Sequence, residues 1–187
     1  MLETRLQERI QAKKAQLDAL RPLPMAAVRR LNEQLTIEWI YNSNAIEGST
    51  LSLRETQLIL EQGITIGGKS LREHFEVINH QEAIKLAESL AGQQEPLTAF
   101  YVRQLHALVS AKIDDKNAGQ YRTLPARIVG AAHELLPAWD IPAQMDDWAS
   151  WLQAQTGVME PVSLAGLAHH QLVAIHPFID GNGRTAR

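Results

Sequence analysis

The sequence predicts an all-α fold with one small β-hairpin, and three features of the chain support this. Apolar residues recur every three or four positions through most of the 187 residues, as they do on the buried face of a helix. Two capping boxes, at residues 52–55 and 70–73, mark helix starts. Residues 126–133 place β-branched residues beside a glycine and give the clearest β signal in the chain, which is typical of a short hairpin, although an irregular surface loop is the alternative.

The composition is that of an ordinary globular protein, and the chain is long enough for one domain with a hydrophobic core. Charged residues make up 21% of the chain and the net charge is −3, which argues against a broad nucleic-acid-binding surface. Cysteine is absent, so disulfides and thiol catalysis are excluded. The first residues are rich in charge, and no apolar run reaches the length of a membrane span. We therefore expect a soluble, cytoplasmic protein with no membrane partner.

Two helices are predicted at the start of the chain. The first is amphipathic, ends before Pro22, and has its apolar positions at Leu2, Leu6, Ile10, Leu17 and Leu20. The second covers about residues 25–47 and stops at Gly48. Glu47 therefore meets the negative end of a helix dipole, at a cost of a few tenths of a kcal/mol. This placement predicts another partner for Glu47, with simple solvation as the alternative.

The middle of the chain predicts five more helices. The capping boxes open two of them, which end near Gly63 and Gly92. Thr98 is expected to cap the next, Pro142 to open another, and the last complete helix to begin near Ser163. The histidines on these helices are expected to be structural or solvated; they are His74, His80 and His106.

Chemistry-bearing residues are concentrated in the last twelve positions, His176 to Arg187. Glycines allow backbone N–H groups to approach phosphate oxygens closely, and a helix that starts near Gly181 would add free amides. Arg184 and Arg187 are three residues apart and can share a helix face. The pattern predicts a polyphosphate-binding loop, with a helix-capping turn and a solvated basic face as the alternative.

Two titratable side chains complete this loop. His176 titrates near neutrality, so it can take a proton from an attacking hydroxyl. Asp180 would lie beside the phosphates, where Mg²⁺ commonly takes one or two carboxylates. Together they predict a polyphosphate-binding loop that carries a metal ligand and a general base.

The complete string, HPFIDGNGRTAR, resembles the motif HxFxxGNGRxxR of the Fic family at every defining position. The resemblance implies a Fic-type helical domain that uses ATP with Mg²⁺ or Mn²⁺ to attach AMP to a Ser, Thr or Tyr hydroxyl of a target protein. It implies that His176 is the catalytic base and that Asp180 holds the metal. The implied nucleotide-binding residues are Asp180, Gly181, Asn182, Gly183, Arg184, Thr185, Ala186 and Arg187.

Two further segments resemble parts of the family. Residues 43–48, SNAIEG, are similar to the inhibitory motif [S/T]xxxE[G/N] of the class with an N-terminal inhibitory helix, which includes the animal endoplasmic-reticulum Fic protein. That likeness implies that Glu47, helped by Ser43, pairs with Arg187 and inhibits. Residues 126–133 resemble the flap that holds the target peptide by strand addition. The implied nucleotide contacts of the flap are Val129, Gly130, Ala131 and Ala132.

The resemblance also implies the domain organisation: residues 1–95 form an N-terminal helical region with the inhibitory helix at about 25–47, and residues 96–187 form the Fic core. Since the family core continues beyond the motif, we expect a fragment that lacks the C-terminal part.

The open alternatives are AMP removal by Glu47 and His176, transfer of phosphocholine or another nucleotidyl group, and a non-catalytic Fic-like scaffold. Doc-type phosphotransferases carry lysine in place of Gly183 and are disfavoured. A homodimer is an alternative to a monomer.

Overall fold

The structure is a computed structural model that describes residues 4–126 and 135–187, and within these ranges it is helical with no strand. This confirms the all-α prediction. The predicted hairpin and its nucleotide-binding residues, Val129, Gly130, Ala131 and Ala132, lie outside the described residues. The helices are α1 (Thr4–Ala19), α2 (Met25–Ile46), α3 (Leu53–Gln62), α4 (Leu71–Gln93), α5 (Ala99–Ser110), α6 (Ile141–Gln155), α7 (Pro161–Ile175) and α8 (Asn182–Ala186).

Both capping boxes form as the sequence predicts. The Ser52 hydroxyl accepts from the Glu55 amide at 3.3 Å, while the Glu55 carboxylate accepts from the Ser52 amide at 2.7 Å. Ser70 and Glu73 make the same pair of bonds at the start of α4. At the other end of α3, Gly63 takes the left-handed conformation (φ 65°) and donates to Ile59. Local side-chain chemistry therefore sets these boundaries.

The remaining helix ends differ from the predictions by a few residues at most. Helix α4 continues one residue past Gly92, because Gln94 adopts the left-handed conformation that closes it (φ 58°). Thr98 caps α5 through the Tyr101 amide, as expected. Helix α7 begins two residues before Ser163, since the Glu160 carboxylate accepts from the Ser163 amide at 2.9 Å. A short 3₁₀ helix, Ala138–Asp140, precedes α6 and was not predicted.

Backbone contacts divide the chain into two compact units. One contains α1 and the part of α2 up to Thr36, and none of the residues of α1 is buried. The other begins at Ile37 and contains the rest of the chain. No helix within the described ranges has the length and apolar character needed to cross a membrane. The predicted boundary between residues 95 and 96 stays a prediction.

Two apolar clusters stabilise the second unit. One joins the end of α2 to α3 and α4 through Ile40, Leu51, Ile59, Val77 and Ile84. The other joins α5, α6 and α7 through Val102, Ile141, Met145, Trp148, Leu172 and Phe178. Phe178 belongs to the His176–Arg187 segment and is fully buried, so this core anchors the segment that carries the chemistry.

His80 on α4 makes the stability of the fold depend on pH. It is 3% exposed, and burial, with the charges of Arg187 and Arg184, lowers its pKa to about 4. A histidine in the unfolded chain titrates near pH 6.5, so between pH 6.5 and 4 the unfolded state binds the proton more tightly. The free energy of unfolding is therefore expected to be constant above pH 7 and about 2 kcal/mol lower at pH 5.

Urea denaturation at pH 8 and pH 5 would measure this effect, with His80→Gln compared to the wild type. The fall in unfolding free energy between the two pH values is expected to be smaller by about 2 kcal/mol in the variant than in the wild type. His170→Gln, at an exposed position on α7, serves as the control and should keep the fall. An equal fall in the His80→Gln protein would contradict this assignment.

Candidate active site

His176 lies directly after α7 in an unusual backbone conformation. Its φ and ψ are 52° and 57°, in the left-handed region, where a residue other than glycine costs about 1–2 kcal/mol. Its amide donates to the Leu172 carbonyl at 3.1 Å, which closes the helix. Pro177 follows and cannot continue the helix. The local sequence thus turns the chain sharply at the predicted base.

The surroundings of His176 keep its imidazole neutral. Burial and the nearby Arg122 guanidinium lower the pKa of His176, and this outweighs the Val173 carbonyl and the Asp180 charge, which raise it. Although the Val173 carbonyl acts on the ring, Nδ1 is buried and makes no hydrogen bond of normal geometry to a described residue. A neutral imidazole at pH 7 is the form that a general base requires.

The loop after His176 is held by the side chain of Asn182. Its amide oxygen accepts from the Phe178 amide at 2.9 Å, and its amide nitrogen donates to the Phe178 carbonyl at 2.8 Å. Gly181, at φ 73°, makes the turn that brings these two residues together. Since the Asn182 side chain is already bonded twice, its backbone amide is the group left for a ligand.

His106 on α5 contacts the same loop and stabilises it. Its ring stacks on Phe178 with centroids 3.7 Å apart. Nδ1 accepts from the Gly119 amide at 2.9 Å, so Nε2 carries the proton and donates to the Asp180 carbonyl at 3.0 Å. This confirms the prediction of a satisfied core histidine. Its link to the loop was missed, because the contact joins residues 74 apart in sequence and no local pattern indicates it.

Asp180 is an ionised carboxylate within a network of charges. Its Oδ1 accepts from the Gly181 amide at 2.7 Å, and its Oδ2 lies 3.1 Å from Arg72 Nη2 and 3.7 Å from Arg184 Nη2. Burial alone would raise the pKa of Asp180, but the Gly181 hydrogen bond and the two arginines outweigh it, so the pKa lies below its usual value. The carboxylate therefore keeps its charge at neutral pH.

Arg184 is buried and keeps unused donors. It is 5% exposed, and its Nη1 lies 3.1 Å from Glu76 Oε1 without the angle of a hydrogen bond, so the pair is an ionic contact only. Nε and Nη1 have no hydrogen-bond partner among the described residues. Arg72 and Glu76 were not predicted as site residues, because they approach the loop only through tertiary packing of α4.

This network borders a polar cavity of about 350 Å³, which has room for charged groups of a ligand. The side chains of its wall carry both signs of charge, and an anionic ligand would have to displace existing ion pairs to enter. The charged residues that line the cavity include Glu47, Arg72, Glu76, Asp180 and Arg184.

Arg187 pairs with the end of α2. Its Nη2 donates to Glu47 Oε1 at 2.5 Å and to the Ser43 carbonyl at 3.1 Å, while its Nε donates to the Ser43 hydroxyl at 2.9 Å. The structure thus contains the ion pair that the family resemblance implies, across 140 residues of sequence. A Cβ atom at Gly183 would overlap Glu47 Oε1, so glycine at this position is what lets the carboxylate approach.

The predicted loop residues thus lie together in the structure, from His176 to Arg187. Thr185 has a buried hydroxyl with no hydrogen-bond partner in residues 4–126 and 135–187, and the Ala186 carbonyl lies 3.1 Å from His169 Nδ1. Whether these residues bind a nucleotide stays a prediction.

Comparison with known proteins places this site in a family. A model of the Fic/DOC family matches residues 96–187. The chain is 38% identical over 164 residues to the protein adenylyltransferase fic-1 of Caenorhabditis briggsae, which is 86% of this chain and 32% of that protein. The chain therefore spans about a third of the length of this curated relative.

Solved structures agree with the family model. A Fic domain containing signaling protein from Bacteroides thetaiotaomicron superposes with a TM-score of 0.88 at 31% identity, over 95% of this chain and 68% of that chain. Fic-1 from C. elegans superposes with a TM-score of 0.81 at 34% identity, over 98% of this chain and 56% of that one. Because motif, family model and fold all agree, this chain belongs to the Fic/DOC family.

Proposed function

We propose that this chain holds the catalytic site of a protein adenylyltransferase, which transfers AMP from ATP to a Ser, Thr or Tyr hydroxyl of a target protein. One observation carries the proposal. The segment from His176 to Arg187 combines a histidine of lowered pKa, an ionised carboxylate and a buried arginine with unpartnered donors. The relative from Caenorhabditis briggsae is a protein adenylyltransferase, and this likeness supports the same reaction.

In the proposed reaction, the target hydroxyl attacks the α-phosphorus of ATP while His176 takes the hydroxyl proton. The new oxygen–phosphorus bond forms as the bond from the α-phosphorus to the bridging oxygen breaks, and pyrophosphate leaves. Because Nδ1 of His176 is buried, Nε2 is the ring nitrogen available to accept the proton. The contribution of the protein is mainly positioning and neutralisation of charge.

The phosphates are proposed to lie against Arg184 and Arg187. The unpartnered Nε and Nη1 of Arg184 are suited to phosphate oxygens, and arginine binds phosphate through two parallel donors. The backbone amides of residues 181–183 would add further donors. Arg187 would have to leave Glu47 first, so its contact with ATP and its contact with α2 exclude each other.

Asp180 is proposed to hold the Mg²⁺ or Mn²⁺ ion that arrives with ATP. The residues fit, because an ionised carboxylate next to phosphates is a normal partner for Mg²⁺. In the described part of the chain, no group of three or more His, Asp or Glu could hold a metal by itself, which suits an ion bound through the substrate. The bound ion would offset the charge of the phosphates. Arg72 must release Asp180 Oδ2 before the substrate binds.

Glu47 is proposed to inhibit the transfer by holding Arg187. Its placement also favours a second candidate function, the removal of AMP from a modified target. Its side chain is about one-third exposed, so Glu47 could activate a water molecule while His176 donates a proton to the leaving hydroxyl. His176 would act in both directions, whereas Glu47 would oppose AMP transfer and take part in AMP removal. A homodimer and a cytoplasmic location remain predictions from the sequence.

Labelling with alkyne-tagged ATP, against tagged CDP-choline, tests the proposed function. The Glu47→Gly protein is incubated with each donor and a cell lysate, and labelled proteins, including the chain itself, are identified by mass spectrometry. Label from ATP alone is expected. Label from CDP-choline alone would indicate phosphocholine transfer, and label from neither would favour the non-catalytic scaffold.

A further inference from the structure

We infer that Arg122 is a positioning residue for His176, holding the backbone of the base from a site between α5 and α6. The role in catalysis rests on the proposed function. Arg122 belongs to the segment that follows α5, and it lies 54 residues from His176 in sequence.

Arg122 binds two consecutive carbonyl groups of the active-site turn. Its Nε donates to the His176 carbonyl at 2.8 Å, and its backbone amide donates to the Pro177 carbonyl at 2.9 Å. Two bonds from one residue fix the planes of two adjacent peptide groups. Because His176 is in the left-handed conformation, loss of these bonds would let the turn relax and rotate the imidazole away from its working direction.

The other donors of the guanidinium connect the turn to the neighbouring chain. Nη1 donates to the Leu124 carbonyl at 3.2 Å, and Nη2 donates to the Leu136 carbonyl at 2.5 Å. All three guanidinium nitrogens are therefore bonded to backbone carbonyls. Leu124 and Leu136 lie before and after residues 127–134, so a single side chain holds two separate segments against the His176 turn.

Arg122 is a buried cation with no ion-pair partner in residues 4–126 and 135–187. It is 2% exposed, and no carboxylate of the described residues forms an ion pair with it. Burial of a charge is costly, and a neutral hydrogen-bonding side chain could donate to the same backbone carbonyls. The charge instead acts on His176, where it lowers the pKa while Asp180 opposes it. The hydrogen bonds of Arg122 thus orient His176, and its charge favours the neutral imidazole.

Two substitutions separate these contributions in the Glu47→Gly protein. Arg122→Lys keeps the charge but loses the planar set of donors, so kcat for AMP transfer should fall about 10- to 100-fold through misorientation of His176. The dissociation constant for ATP should stay within about twofold, since this variant leaves the phosphate ligands intact. Arg122→Gln removes the charge, so the acidic limb of the pH–rate profile should also move to higher pH.

Arg103→Lys is the matched control, because Arg103 donates to the Gly119 carbonyl at 2.8 Å nearby without contacting His176. It should retain at least half of the kcat of the parent Glu47→Gly protein. Unchanged kcat in both Arg122 variants, or a loss of ATP binding as large as the loss of kcat, would overturn the inference. If Arg122→Gln does not fold, the kcat and ATP affinity of Arg122→Lys decide the matter.

NMR titration of the His176 ring, assigned with His176→Gln, tests the inference without any activity. The pKa of His176 should rise in Arg122→Gln and stay within experimental error in Arg122→Lys. If the Glu47→Gly protein transfers no AMP, the proposed function fails, while a raised pKa in Arg122→Gln still supports the influence of Arg122 on His176. An unchanged pKa in Arg122→Gln would overturn that influence.

Discussion

Replacing Glu47 by glycine is expected to raise AMP transfer by about 10- to 100-fold. The carboxylate accepts a hydrogen bond from Arg187 at 2.5 Å. A charge-assisted bond of this kind contributes about 1.5–3 kcal/mol, and each 1.4 kcal/mol is a factor of about ten in the population of the open site. Without Glu47, the bonds that Arg187 keeps within the described residues are those to Ser43, and its side chain can turn to the γ-phosphate. Initial rates of self-modification with labelled ATP would measure the change.

The same substitution should lower the dissociation constant for ATP, because the nucleotide no longer competes with a carboxylate for Arg187. Glu95→Gly is a suitable control, since Glu95 is an exposed glutamate just past the end of α4, as Glu47 is past the end of α2. Glu47→Gln tests whether charge matters more than the hydrogen bond and should give an intermediate rate. Equal rates in the wild type and in Glu47→Gly would refute the inhibitory role of Glu47.

Local features of this fold were predictable because they depend on neighbours in sequence. The capping boxes at Ser52 and Ser70 involve residues three positions apart, and Gly63 closes α3 through its own left-handed conformation. The end of α7 at His176 follows from Pro177 in the same way. Such interactions form within one or two turns of chain, so residue types and spacing are sufficient to place them.

The supports of the active site were not predictable in this way. Arg122 bonds to His176 across 54 residues and Arg72 to Asp180 across 108, so each contact depends on how helices pack. Glu47 is an intermediate case. Its position against the helix dipole indicated a further partner, but only the family pattern pointed to Arg187. Composition and periodicity do not predict the role of Arg122, because it lies between helices and has no charged partner in the described chain.

Replacing His176 by alanine is expected to abolish most AMP transfer, with a loss of about 10²–10⁴-fold in kcat, because general-base catalysis contributes that much. Arg184 and Arg187 remain in the variant, so ATP should bind with nearly unchanged affinity. The measurement is single-turnover transfer from labelled ATP in the Glu47→Gly background, where inhibition does not hide the chemical step.

His170→Ala provides the matched control for this experiment, because it removes an exposed histidine from α7, the helix that His176 follows, six residues earlier. It should transfer AMP at the parent rate.

The parent protein should lose activity as pH falls below the lowered pKa of His176, since protonation removes the base. The residual rate of His176→Ala should not show this fall at low pH. Transfer by His176→Ala at the parent rate would mean that another group, or water, takes the proton, and that the bonds from Arg122 to this turn serve the fold alone.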